Sequence, residues 1–174
     1  VDDYLKNDAI KKGEISSNFD YEVLTENTSI NNAEYVRIQQ KINGIPVYER
    51  FGSFSLRSGS IINFNNNFID GNLGSQTSVT PLLSAEESLK KFAAISGKRF
   101  INVSSPQDLK EATDNVVLFT AKTPSLLVYY FDGKDLKLAW KTLAEIKGKR
   151  DENNSFDPTH LSEVIIDANT GVIL

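Results

Sequence analysis

The dipeptide Asn43-Gly44 constrains this chain more than any other feature, because it lies directly between two runs of strand-forming sequence. From Tyr35 to Ile42 the residues alternate, with Val36, Ile38 and Ile42 on one face and Arg37, Gln39 and Lys41 on the other. Asn-Gly tolerates the two positive φ values of a type I′ turn, so the chain is predicted to fold straight back into Ile45, Val47, Tyr48, Phe51, Phe54 and Leu56. A second turn at Ser58-Gly59-Ser60 starts a third strand. Gln40 falls on the apolar face of the first strand, where a buried amide must find partners. It either makes a structural hydrogen bond that fixes register or holds a helix, or it contacts a bound protein.

Around this meander, Asp2-Asp3, Leu5, Ala9 and Lys11-Lys12-Gly13 predict a capped helix from about residue 3 to 12, and Tyr21 to Thr25 a further strand. Asp70 to Thr80 reads as a connector. Beyond Pro81, Ser84-Ala-Glu-Glu87 forms a capping box, with Ala85, Leu89, Phe92 and Ala93 on one helical stripe and Gly97 as the stop. Ser105-Pro106 opens a short helix through Leu109. Strand runs follow at Val116 to Ala121, Leu126 to Phe131, Leu136 to Ile146 and Val164 to Asp167, with Asp132-Gly133 as a hairpin turn. The second half thus repeats the first in outline: helix, then antiparallel meander.

The string QQKINGIPVYERFGSFSLRSGSIINFNNNF resembles the propeptide module shared by fungalysin and thermolysin zymogens, where a Gln and an Asn-Gly-Ile-x-Val hairpin precede an Asn-rich strand end. LLVYYFDGKDLKLAWKTLAEI followed by VIIDANTGVIL is similar to the C-terminal half of fungalysin-type propeptides, related to the peptidase-propeptide module. The corresponding elements are Leu138-Ala139-Trp140 and Asp167-Ala168-Asn169-Thr170-Gly171. Two positions depart from the family habit: Glu34 stands where a His often precedes the Gln strand, and His160 is followed by Leu161-Ser162 instead of aromatics.

Composition narrows the partners. Nineteen Lys and Arg against 23 Asp and Glu give a net charge of −4, which disfavours nucleic acid and anionic membrane surfaces. There is no Cys, hence no disulfide and no thiolate site. No apolar run reaches the ~20 residues of a membrane-spanning helix. The chain opens at Val1 without a basic, apolar leader, so any leader is expected to have been removed or to lie outside this sequence. Asn27, Asn102 and Asn153 head formal glycosylation sequons, which an Asn-rich chain also produces by chance.

Chemistry is sparse. A zinc peptidase needs two imidazoles one helical turn apart beside a Glu, and His160 is the single His. It reads as a solvated or strand-opening residue. Asp151, Asn153, Ser155 and Asp157 alternate as calcium ligands do, but Phe156 and Ser162 replace the Gly and Glu such a loop needs. Glu86 and Glu87 are explained by capping without acid/base work. Trp140 reads as core. Lys147-Gly-Lys149-Arg150 is a charged turn, or an exposed basic stretch where processing proteases cut.

The expected fold is α+β: two small units, 1–75 and 76–174, each an antiparallel meander with one or two helices on one face, a cystatin-like arrangement. The resemblance implies the non-enzymatic N-terminal prosegment of a secreted zinc metallopeptidase, chaperoning and inhibiting its mature domain. It needs no cofactor or metal of its own. Lys147, Lys149, Arg150 and His160 become candidate partner contacts or a processing loop, while Gln40, Asn43, Gly44 and Trp140 are structural. The rival reading is a free-standing extracellular binding or inhibitor protein built from the same modules. A zymogen would continue past Leu174 into a domain with a His-Glu-x-x-His helix.

Overall fold

The computed structural model describes residues 1–12, 15, 19–28, 33–103, 107, 116–119, 125–147 and 160–174. The chain divides into unit 1, Val1–Val79 with Gly133–Leu136, and unit 2, Thr80–Asp132 with Lys137–Leu174. The fold is α+β, predominantly antiparallel sheet.

Unit 1 is a four-stranded antiparallel meander: β1 (Asp20–Thr28), β2 (Ala33–Ile42), β3 (Ile45–Arg57) and β4 (Ser60–Asn66). Both turns take the expected form, with positive φ at Asn43 (52°) and Gly44 (76°), and again at Ser58 (50°) and Gly59 (76°). The alternation on β2 sorts its side chains as its pattern demands: Ile38, Gln40 and Ile42 are buried and Val36 half-buried, while Arg37 is exposed. Against this face packs the N-terminal helix, Tyr4–Ala9, through Leu5 and Ala9. The helix is shorter and wider than the sequence predicts, and Asp3 makes no side-chain cap. Asp2 instead accepts a hydrogen bond from the Tyr21 hydroxyl on β1, a long-range partner that wins over the local one. Gly13, the expected stop, lies outside the described residues.

The Asp70 to Thr80 connector is also more structured than predicted. Gly71–Gln76 forms a 3-10 helix whose first turn is capped by the Asp70 carboxylate accepting from Asn72 N–H at 3.0 Å. Short Gly, Asn and Ser stretches carry little apolar signal, so their order comes from such local hydrogen bonds.

Unit 2 lays α1 (Ala85–Ile95) on a sheet of β5 (Arg99–Asn102), β6 (Val116–Phe119), β7 (Leu126–Phe131), β8 (Leu136–Lys147) and β9 (His160–Asp167). The capping box forms as expected: Glu87 N–H donates to the Ser84 hydroxyl, and Ser84 N–H donates to the Glu87 carboxylate at 2.8 Å. Gly97 at φ 63° ends the helix. Leu89 and Ala93 bury against Val117, Phe119, Ala144, Val164 and Ile166. The strand order is not a meander. β5 runs parallel to β6, β6 skips β7 to pair antiparallel with β8, and β8 also neighbours β7 and pairs antiparallel with β9. β5 went unpredicted because four residues of mixed polarity, Arg-Phe-Ile-Asn, carry no clear period. The short helix expected from Ser105 to Leu109 lies, Gln107 apart, outside the described residues.

Candidate functional site

Gln40 shows how unit 1 is held. Its side chain is fully buried, donating from Nε2 to the Ile69 carbonyl at 2.7 Å and accepting at Oε1 from the Ile69 N–H at 2.9 Å. One amide thus satisfies both backbone groups of a residue beyond the end of β4 and ties it to the centre of the meander. Asn43 acts similarly from the turn, donating from Nδ2 to the Gly74 carbonyl at 3.0 Å in the 3-10 helix.

A third amide explains an irregularity in β3. Between the pairs Lys41–Pro46 and Gln39–Phe51, β2 advances two residues while β3 advances five, so β3 carries a wide bulge opposite Gln40. Glu49 within it takes a left-handed φ of 54°. Asn67 clamps the bulge: its Nδ2 donates to the Glu49 carbonyl at 2.8 Å, and its Oδ1 accepts from Phe51 N–H at 2.7 Å. Gln39 adds a bond from Nε2 to the Val47 carbonyl at 3.2 Å. The sequence does hold a signal for this bulge, since the buried positions slip from odd at Val47 to even at Phe54 and Leu56.

Aromatic rings close the segment on itself. Phe19, just before β1, packs on Phe68, just after β4, with ring centroids 4.6 Å apart. Phe54 and Phe64 stack across β3 and β4 at 4.4 Å. The Phe19–Phe68 contact thus brings together the two ends of the meander.

Residues 19–68 match the Fungalysin/Thermolysin Propeptide Motif. Over those residues the chain carries the propeptide motif of fungalysin/thermolysin-type peptidases, and such a motif is a regulatory, non-catalytic segment. The match covers under a third of the 174 residues and coincides with the meander β1 to β4. Comparison with curated proteins gives no match. Gln40 and Asn43, both within the matched residues, are the side chains that grip Ile69 and Gly74.

Outside the motif, Trp140 is half-buried on β8 and donates from Nε1 to the Leu83 carbonyl at 2.8 Å, holding the approach to α1. His160 opens β9 opposite Ile146, and Lys147 ends β8 opposite Val116. Lys149, Arg150 and the alternating oxygens Asp151, Asn153, Ser155 and Asp157 lie outside the described residues. Among the described residues no three His, Cys, Asp or Glu side chains cluster as a metal site would require. No described helix is long and apolar enough to cross a membrane.

The two neighbouring carboxylates at the start of α1 serve the helix. The Lys90 ammonium, 2.7 Å from Glu86, holds that carboxyl below its usual value. Glu87 is held down by the Ser84 N–H and then by the Ser84 hydroxyl, at 2.8 and 2.7 Å. Beside the N-terminal helix, an open groove of about 420 Å³ is lined by Tyr4, Lys12, Ile61, Ile62, Asn63, Phe64 and Asn66, a set with no acid/base pair.

Proposed function

We propose that this chain is the N-terminal prosegment of a secreted zinc metallopeptidase of the fungalysin/thermolysin type, acting as intramolecular chaperone and inhibitor of the mature domain. The observation that carries this reading is the coincidence of the propeptide motif with a meander whose signature residues close it. A preformed sheet can dock on a folding partner without reorganising, which suits templating and inhibition better than turnover. Each unit is read as cystatin-like, with helix packed on sheet. The basic stretch at Lys147, Lys149 and Arg150, leading toward His160, is the proposed partner contact or processing segment.

The test is to refold the cognate peptidase domain with and without this chain, then titrate the chain into its hydrolysis of a peptide substrate. A one-to-one complex, recovery of activity that depends on the chain, and competitive inhibition relieved by proteolysis are expected. Failure to form a complex at micromolar concentration would overturn the zymogen reading and favour a free-standing binding or inhibitor protein. Peptide hydrolysis by the purified chain itself would overturn both.

A further inference from the structure

We propose that Asn43 is a site of spontaneous covalent modification, and that conversion of its amide to an acid turns a reversible opening of the Gly71–Gln76 helix into a permanent one. This goes beyond the prosegment reading and does not depend on it. Asn43-Gly44 is the only Asn-Gly pair in the chain, both residues are exposed, and a Cβ added at Gly44 would meet nothing within 4 Å. Gly44 itself brings no side chain to shield its backbone nitrogen.

The reaction needs only water. The Gly44 nitrogen gives up its proton to solvent and attacks Asn43 Cγ, the Cγ–Nδ2 bond breaks, and the nitrogen leaves as ammonia after taking a proton back from solvent. A five-membered succinimide remains. Water then opens it, leaving aspartate at position 43 where the new bond at Cγ breaks, or isoaspartate, with the main chain rerouted through the side-chain carbon, where the bond at the backbone carbonyl breaks. Nothing is oxidised or reduced.

The fold holds this chemistry back. Asn43 Nδ2, the leaving group, donates to the Gly74 carbonyl at 3.0 Å, and Gly74 is packed so closely that a Cβ there would collide with the Ile42 side chain and lie 3.2 Å from Asn43 Nδ2. The amide must let go of the helix before its carbon swings onto the Gly44 nitrogen, so the reaction proceeds from the locally opened state. Afterwards the clamp cannot close. An ionised carboxylate accepts but does not donate, and its oxygens repel the buried Gly74 carbonyl, which keeps only the Thr77 N–H at 3.3 Å. The result is a one-way latch on residues 71–79, the end of the Val1–Val79 segment of unit 1, which it leaves open to proteolysis.

Incubation of this chain for increasing times in neutral buffer and in guanidinium, followed by peptide mass mapping, tests the site. In guanidinium Asn43 is expected to be the first asparagine to take the mass of an acid, as a mixture of aspartate and isoaspartate, and in buffer it is expected to react about tenfold or more slowly. Equal rates in the two solvents overturn the clamp, and an Asn43 amide that outlasts the other asparagines in guanidinium overturns the site. The folded chain modified at Asn43 is expected to be cut within residues 71–79 by a broad-specificity protease several-fold faster than the unmodified chain, and Asn43→Asp to match it. Asn65→Asp, the same change of charge at an exposed position of β4, is expected to keep the parent's resistance. Cutting as slow after modification as before overturns the latch, a comparison made on the parent sequence and therefore valid even where Asn43→Asp fails to fold. Equally fast cutting in Asn65→Asp also overturns it, since charge alone would then explain the effect.

Discussion

Unit 1 and unit 2 both bury an apolar core between a sheet and a helix, yet unit 1 adds a second kind of hold. In unit 1, amide side chains grip irregular backbone: Gln40 on Ile69, Asn43 on Gly74, Asn67 on the bulge at Glu49 and Phe51. In unit 2 the stability lies in an apolar layer, Leu89 and Ala93 of α1 against Val117, Ala144, Val164 and Ile166. A polar side chain that serves one backbone site cannot be exchanged freely, because its loss leaves buried groups unmet. Apolar residues of similar volume substitute for one another with small cost. The family match covers the amide-gripped meander and stops at Phe68.

The comparison can be sharpened first in unit 2. Leu89→Ala should cost about 2–5 kcal/mol, the range for deleting a buried leucine and leaving part of the cavity. Urea unfolding followed by the fluorescence of Trp140, the only tryptophan, reads it out. A loss well under that range would show a layer able to collapse around the gap.

In unit 1 the corresponding change is Gln40→Leu, which keeps the volume but strands the Ile69 N–H and carbonyl. A loss of about 2–4 kcal/mol is expected from two unmet buried groups. If the cost stays below the ~1.5 kcal/mol of an ordinary apolar swap, the contrast between the units collapses.

Gly44→Val is expected to cost roughly 1–3 kcal/mol through backbone strain alone. An added Cβ at Gly44 would meet nothing within 4 Å, so sterics contribute none of it. Thermal unfolding unchanged from the parent chain would mean that the turn relaxes to another type.

The smallest effect concerns acid. Glu86 and Glu87 have folded-state pKa values below their ordinary ones, so their contribution to α1 is present above the unfolded glutamate pKa. It is lost as pH falls through the lower folded value. Glu87 is exposed and Glu86 partly so, and a shallow decline in helix stability below about pH 4.3 is expected, absent in the double variant Glu86→Gln, Glu87→Gln. A parent chain whose acid profile matches that variant would show that neither carboxylate is held by its partners.

Much of the secondary structure was legible, because its causes are local. Asn43-Gly44 and Ser58-Gly59 dictate positive φ wherever they sit, the Ser84 to Glu87 box closes within one turn, and alternation on β2 assigns its faces. The candidate site was half legible: a glutamine on an apolar face announces a buried amide, but its partner Ile69 lies 29 residues away. The phase slip in β3 was visible, whereas the clamp by Asn67 required knowing which strand end comes near. At the N-terminus, the Tyr21 hydroxyl took the Asp2 carboxylate that the sequence offered to the helix as a cap.

The amino-acid sequence thus determined the turns, the caps and the face of each strand, since backbone conformation and side-chain period are set within a few residues. The tertiary structure alone decided that β6 bypasses β7 for β8, that β5 joins in parallel, and that Trp140 reaches the Leu83 carbonyl 57 residues away. Pairings of that kind depend on which apolar faces can be buried together once loops close. Loop closure costs little more for one long connection than for another, so nothing local in the chain selects among them.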